Sequence, residues 1–291
     1  MFATSPTEGK AMSYQSILVH ACQPELAQAR YRLAAAIALA EGTRLTGIAL
    51  SGAIEFIVRC SAAAGVAPIG PDDYNFLTDN AKRTLTDFEA AVRAAGVVPL
   101  ESKLSDESAI RALPLEARYC DLLLIGQVTH PDAILADDYS LARTILIHAP
   151  CPVMVVPSTT AVTRVPVRPL IAWDGSMEAS RAVRAALPLL RRAGSVTAAC
   201  FHPQKYSGSQ VQAGTQLATY LASHGIDVEI LTPAPAPTGN IGEALLGLAA
   251  TGAHDLIVMG NFGHSRFREL VLGGVTETVL AGTVVPVLTS H

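Results

Sequence analysis

The sequence predicts an α/β protein made of two tandem units, each a five-stranded parallel sheet flanked by helices. Short apolar, β-branched runs alternate with helix-type periodicity along the whole chain, the mark of βαβ units. The 291 residues suffice for two ordinary domains. The second half also repeats the first in register, which is hard to explain except by duplication.

In the first half the strand runs fall at 17–20, 45–50, 97–100, 122–125 and 153–156. In the second they fall at 170–173, 196–201, 228–231, 256–259 and 284–288. Between them, Ile241, Ala244, Leu245, Leu248 and Ala249 form one face of a helix with Asn240 as its N-cap. Another helix runs from Ser176 through Ala182, Val183, Ala186 and Leu187 to a basic end at Arg191 and Arg192. Gly194 is its stop, and Pro188 is expected to kink it near its end.

The repeat is clearest where DLLLIG, ending at Gly126, matches DLIVMG, ending at Gly260, and Pro152-Val153 matches Pro286-Val287. Both matches share an offset of 134 residues, so no gap separates the fourth and fifth strands in either half. At the first strand the offset is 152, between Cys22 and Asp174, which leaves the first half 18 residues longer. The excess is placed within 51–80, where Gly65, Pro68, Gly70 and Pro71 read as an inserted loop. The polar, β-branched stretch 158–168 with Pro166 reads as a linker, giving units at 1–157 and 165–291.

Apolar residues make up 50% of the chain and charged ones 16%, a globular composition that excludes a disordered chain. No apolar run approaches the roughly 18 residues that a membrane span needs. The first fifteen residues have neither a basic start nor an apolar stretch, so a cytoplasmic location is expected. A formal charge of −4 and a pI near 6.1, without any Lys/Arg block, argue against nucleic acid as a partner. The five cysteines are scattered without a C-x-x-C pair, which argues against a disulfide framework or a zinc knuckle. They read as small buried apolar residues.

The informative segment runs from Gly260 to Val275, after an apolar strand and into a helix expected to begin near Gly274. Glycines at such a corner permit positive φ and let backbone N–H groups point into a concavity, and a helix N-terminus adds free donors, so a phosphate fits there. His264, Arg266 and Arg268 add cationic bias, partly offset by Glu269. The alternative is that these are simple turn glycines.

The spacing of Gly260, Gly263 and Gly273 resembles the G-x2-G-x9-G-[S/T] signature of nucleotide-binding universal stress proteins, with Gly274 standing where that family has Ser or Thr. The run from Leu170 to Ser176 is similar to the family's first strand and acidic corner. The resemblance implies Rossmann-like (HUP-type) units with strand order 3-2-1-4-5 and a ligand crevice beyond the carboxyl ends of the first and fourth strands. It implies that Asp174 contacts the adenosine of ATP or a similar adenine nucleotide and that Phe201 packs on the adenine. Met259, Gly260, Gly263, His264, Gly273, Gly274 and Val275 would complete the site, with a role for magnesium left open. Asp174 or Ser176 could instead cap a helix, and Phe201 could be a core residue. The resemblance further implies that the last strands of the two halves pair edge to edge as a pseudo-dimer, with a homodimer of whole chains and an unidentified protein partner left open.

The first half departs from the pattern. Cys22 replaces the Asp, Thr129 the second Gly and Tyr139 the third, leaving Gly126 and Ser140. Asp132, Asp137 and Asp138 against Arg143 would repel phosphates, so no nucleotide is expected there. No Walker A, G-x-G-x-x-G, H-E-x-x-H or G-x-S-x-G pattern occurs. His20 and His254 read as structural, and no acid/base pair stands out, so an enzyme is not supported. A stress-response regulatory module is the leading reading; the alternatives are a nucleotide-free interaction scaffold and a weak ATP hydrolase using His264 or Asp174.

Overall fold

A computed structural model of the chain describes residues 13–22, 24–62, 70–127, 137–201, 210–232, 240–261 and 274–291. The first half contains β1 (Ser16–Ala21), α1 (Pro24–Glu41), β2 (Arg44–Leu50), α2 (Ala53–Ala62), α3 (Asn75–Ala94), β3 (Leu100–Ser105), α4 (Ala109–Glu116), β4 (Leu122–Gly126), α5 (Asp137–His148) and β5 (Val153–Val156). The second contains β6 (Pro169–Trp173), α6 (Met177–Leu190), β7 (Val196–Cys200), α7 (Gln210–Ser223), β8 (Val228–Leu231), α8 (Ile241–Thr251), β9 (Leu256–Gly260), α9 (Gly274–Gly282) and β10 (Val287–Ser290).

The ten strands of the described residues form one sheet in the order β3-β2-β1-β4-β5-β10-β9-β6-β7-β8. Each half has the order 3-2-1-4-5 with parallel neighbours, and the halves meet through antiparallel β5 and β10, where Val155 faces Val287 and Val153 faces Thr289. The expected edge-to-edge pairing therefore occurs. It covers two apolar edges that would otherwise be open to another chain. The free edges are instead β3 and β8, short strands carrying Glu101, Lys103 and Glu229.

The repeated aspartate has a local cause. Asp121 Oδ2 accepts from the backbone amides of Gln15 (2.8 Å) and Ser16 (3.0 Å), and Asp255 accepts from those of Val167 and Arg168, each at 2.8 Å. In both halves the carboxylate at the foot of the fourth strand satisfies the free amides leading into the first.

One face of the sheet carries a single apolar core shared by both halves, with Tyr31 and Leu33 of α1, Phe88 of α3, Leu187 of α6 and Leu221 of α7. The other face carries one cluster per half, under α4 and α5 and under α8 and α9. Tyr14 Oη, before β1, donates to the Ala185 carbonyl of α6 at 2.7 Å, and Arg192 Nε, just beyond α6, pairs with Glu41 at the end of α1 at 2.7 Å, so both contacts join the halves. The linker takes part: Val162 and Val165 pack against the shared core.

Several boundaries differ from expectation. The third strand lies at Leu100–Ser105 because Pro99, after a cis peptide bond, cannot donate to a ladder, and Val97 is buried before it. The last strand starts at Val287, after Thr283 Oγ1 closes a turn by bonding Val285, and Val284 is exposed. The insertion is not a plain loop. AIEFIVRCSA forms α2, and α3 already begins at Asn75; Gly65 and Pro68 lie outside the described residues. Helix α6 extends through Pro188 to Leu190, and the Gly194 amide beyond it donates to Val167. Cys22, Cys60 and Cys120 are half-buried, and only Cys151 and Cys200 are buried as the sequence suggests. No described helix is long and apolar enough to cross a membrane.

Candidate functional site

In a doubly wound sheet a ligand crevice is expected beyond the strand ends at the switch point, which in the second half are those of β6 and β9, parallel neighbours ending at Trp173 and Gly260. Beyond β6, Asp174 is exposed, and its Oδ1 accepts from Ser176 N (2.9 Å) and Ser176 Oγ (2.6 Å). Ser176 is the N-cap of α6, its Oγ accepting from Ala179 N at 3.1 Å. Gly175 between them has φ +77°, a conformation that favours glycine. The acidic corner is thus a braced turn. Of the roles weighed for the corner, capping is the one seen: Ser176 caps the helix, and Asp174 holds Ser176.

Gly260 does not serve by positive φ. A Cβ there would lie 2.5 Å from Ala179 N and 2.6 Å from Glu178 C, so glycine is what allows the first turn of α6 to close on the end of β9. Gly274, at the start of α9, is exposed; among the described residues nothing lies within 4 Å of where its Cβ would stand, and its φ is not positive. Gly263, His264 and Gly273 lie outside the described residues. Met259 is buried, and Phe201 and Val275 pack on the cluster that contains it, under α8 and α9. Met259 is thus a core residue, and Phe201 and Val275 are partly buried against it. Among the described residues no group of three or more His, Cys, Asp or Glu could hold a metal ion.

The first-half counterpart is built differently. Arg30, 1% exposed, lies between the positions equivalent to Asp174 and Gly260: its Nη2 donates to Cys22 Sγ at 2.8 Å, and its Nη1 lies 2.5 Å from where a Gly126 Cβ would stand. Among the described residues its Nε has no partner. Nearby, burial and then the Arg30 charge hold the His20 imidazole down to about 3, so His20 is neutral, in keeping with a structural role. The sequence reading missed Arg30, since an arginine on an apolar helix face carries no motif.

It also missed Asn261. This residue is 1% exposed; its amide N donates to Ser290 O at 2.8 Å, and its Nδ2 reaches the Leu146 carbonyl of the first half at 3.4 Å. The exit of β9 is therefore anchored partly by the other half of the chain.

A tandem doubly wound α/β protein with two strand-end crevices of unequal construction is the class that fold and site define. Residues 168–291 match the universal stress protein family. A 68-residue stretch is 41% identical to universal stress protein Slr1230 of Synechocystis sp., covering 23% of this chain and 22% of that protein, so well under two thirds of that relative is matched. The fold is similar to a universal stress protein from Archaeoglobus fulgidus DSM 4304, with TM-score 0.70 and 16% identity over 94% of this chain and 97% of that one. It is also similar to a protein of unknown function from Pseudomonas aeruginosa PAO1, with TM-score 0.59 and 18% identity over 94% and 92% of the two chains. The second half thus matches the universal stress protein family over residues 168–291, and the chain as a whole has the tandem two-unit fold of those solved structures.

Proposed function

We propose that this chain is a regulatory, stress-response module that binds one adenine nucleotide, ATP or a close relative, at the carboxyl ends of β6 and β9. The observation that carries the reading is the contrast between the two crevices. In the second half a braced, exposed carboxylate stands at Asp174 opposite Gly260; in the first the buried Arg30 occupies the corresponding space. Asp174 suits the hydroxyl or amine donors of a nucleoside, because a carboxylate offers acceptors only. The glycine spacing at Gly260, Gly263 and Gly273 and the N-terminus of α9 suit the phosphates. Loss of the family hydroxyl at Gly274 removes one donor and leaves the backbone N–H.

Titration calorimetry of the full chain with ATP, ADP and AMP, with and without magnesium, tests this. The expected result is one site per chain for at least one of the three. Absence of heat with all three would overturn the reading in favour of a nucleotide-free interaction scaffold. Phosphate release above background with ATP, lost in Asp174→Ala, would move the assignment to a weak hydrolase.

A further inference from the structure

Two cysteines that the nucleotide site does not use lie side by side. Cys120 follows the short 3-10 turn Ala117–Tyr119 and leads into β4, and Cys151 leads into β5. Because Leu123 faces Val153 in the parallel ladder, the two residues stand at the feet of adjacent strands. Their Sγ atoms are 3.7 Å apart. Both are free thiols, Cys120 half-buried and Cys151 9% exposed. A disulfide needs sulfurs at about 2.0 Å, a change within reach of side-chain torsions when the strands already hold the two residues together.

We infer that Cys120 and Cys151 form a redox-active dithiol that closes reversibly to an intrachain disulfide in exchange with low-molecular-weight disulfides. The more accessible Cys120 attacks as thiolate. Its sulfur bonds one sulfur of the reagent RSSR, the S–S bond of the reagent breaks, and RS⁻ leaves to be protonated. Cys151 then loses its proton to solvent and attacks Cys120 Sγ, and the second RS⁻ departs and is protonated. The balance is two protein thiols and one RSSR giving one protein disulfide and two RSH. The hydrogen bond between Cys151 and Cys120, then burial, raise the Cys151 thiol well above its ordinary value, which keeps it protonated and marks it as the resolving partner.

The placement gives the bond a consequence. It would close the segment that carries α5, whose Leu146 carbonyl accepts from Asn261, and it would tie down β5, the strand that joins the halves. The inference stands independently of nucleotide binding.

Incubation of the full-length protein with oxidised glutathione, followed by thiol titration under denaturing conditions, should remove two of its five thiols. Tryptic mass mapping should find peptides 119–143 and 144–164 joined, and dithiothreitol should reverse the link. Cys151→Ser should stop at a glutathione adduct on Cys120, whereas Cys22→Ser and Cys60→Ser should close as the parent does. A retained count of five thiols, a link between other cysteines, a link between chains, or an identical adduct in the parent and Cys151→Ser would each overturn it. Circular dichroism of Cys151→Ser, and closure in the Cys200→Ser variant, separate a chemical effect from misfolding.

Discussion

Gln127 donates its side-chain amide to the Leu280 carbonyl at 2.8 Å, and the symmetry-related contact joins Asn261 to Leu146. Each member of the second pair lies 134 residues from its counterpart in the first, the offset already evident in the fourth and fifth strands. The residue after the strand-four glycine thus reaches across the joint to the last helix of the other half, and does so twice. The internal two-fold relation is written in side-chain contacts as well as in strand order. The two contacts are unequal in strength, since Gln127 Nε2 also reaches Ala281 O (3.3 Å) and Thr283 O (3.1 Å).

Gln127→Ala should therefore weaken the joint. Removing the amide strands carbonyls at the end of α9 that it now satisfies, a loss of about 1–3 kcal/mol. Urea denaturation is the check: a midpoint equal to that of the parent would mean that water replaces the amide at no cost.

Gly260 and Gly274 should respond oppositely to alanine. At Gly260 the new methyl meets the backbone of Glu178 and Ala179, and overpacking of this kind costs about 1–3 kcal/mol. At Gly274 no described residue stands in the way of a methyl and φ is ordinary, so Gly274→Ala should be neutral or stabilise by about 0.4–1 kcal/mol. Thermal unfolding of both variants decides it, and a neutral Gly260→Ala would refute the close approach of α6 to β9.

His20 predicts a pH dependence. The folded protein holds its imidazole at about 3, against an ordinary value of 6.5, through burial and then Arg30. Below the ordinary value the unfolded chain takes up a proton that the folded chain refuses. His20 thus contributes stability that is whole above about pH 6.5 and lost progressively as the pH falls toward about 3. In His20→Asn, the fall in urea midpoint between about pH 7 and pH 4.5 should be shallower than in the parent. Parallel falls would show that His20 is not the titrating group.

Much of the fold was legible because buried parallel strands read as apolar runs, and β4, β5 and β9 fall almost where those runs lie. The third strand was misplaced for the converse reason. LESKLS is an exposed edge whose polar residues carry no burial signal, while the apolar pair Val97 and Val98 precedes it. Glycine spacing singled out Gly260 and family resemblance Asp174, but the part Gly260 plays in the fold depends on the approach of α6, which no local pattern records. Arg30, Asn261 and the Cys120–Cys151 pair escaped because each acquires meaning from a residue distant in sequence.

The last prediction separates the two roles of Asp174. As a brace, the residue needs only an oxygen at Oδ1 to accept from Ser176 N and Oγ. As a ligand group, by the proposed function, it needs a full carboxylate, whose charge strengthens hydrogen bonds from nucleoside hydroxyls roughly twofold over neutral acceptors. Asp174→Asn keeps the amide oxygen and loses the charge. Its melting temperature should stay within about 2 °C of the parent, a change of roughly 0.5 kcal/mol, while ATP affinity falls by about tenfold or more, the equivalent of about 1.4 kcal/mol. Asp174→Ala should lose both, because Ser176 then caps α6 without support. The matched change in the first half, Cys22→Ala, should leave affinity and the stoichiometry of one per chain unaltered, since Arg30 already fills that crevice. Calorimetric titration beside thermal unfolding reads all three variants. Unchanged ATP binding in Asp174→Asn would reduce Asp174 to a helix brace, and a loss in Cys22→Ala equal to that in Asp174→Ala would end the asymmetric assignment.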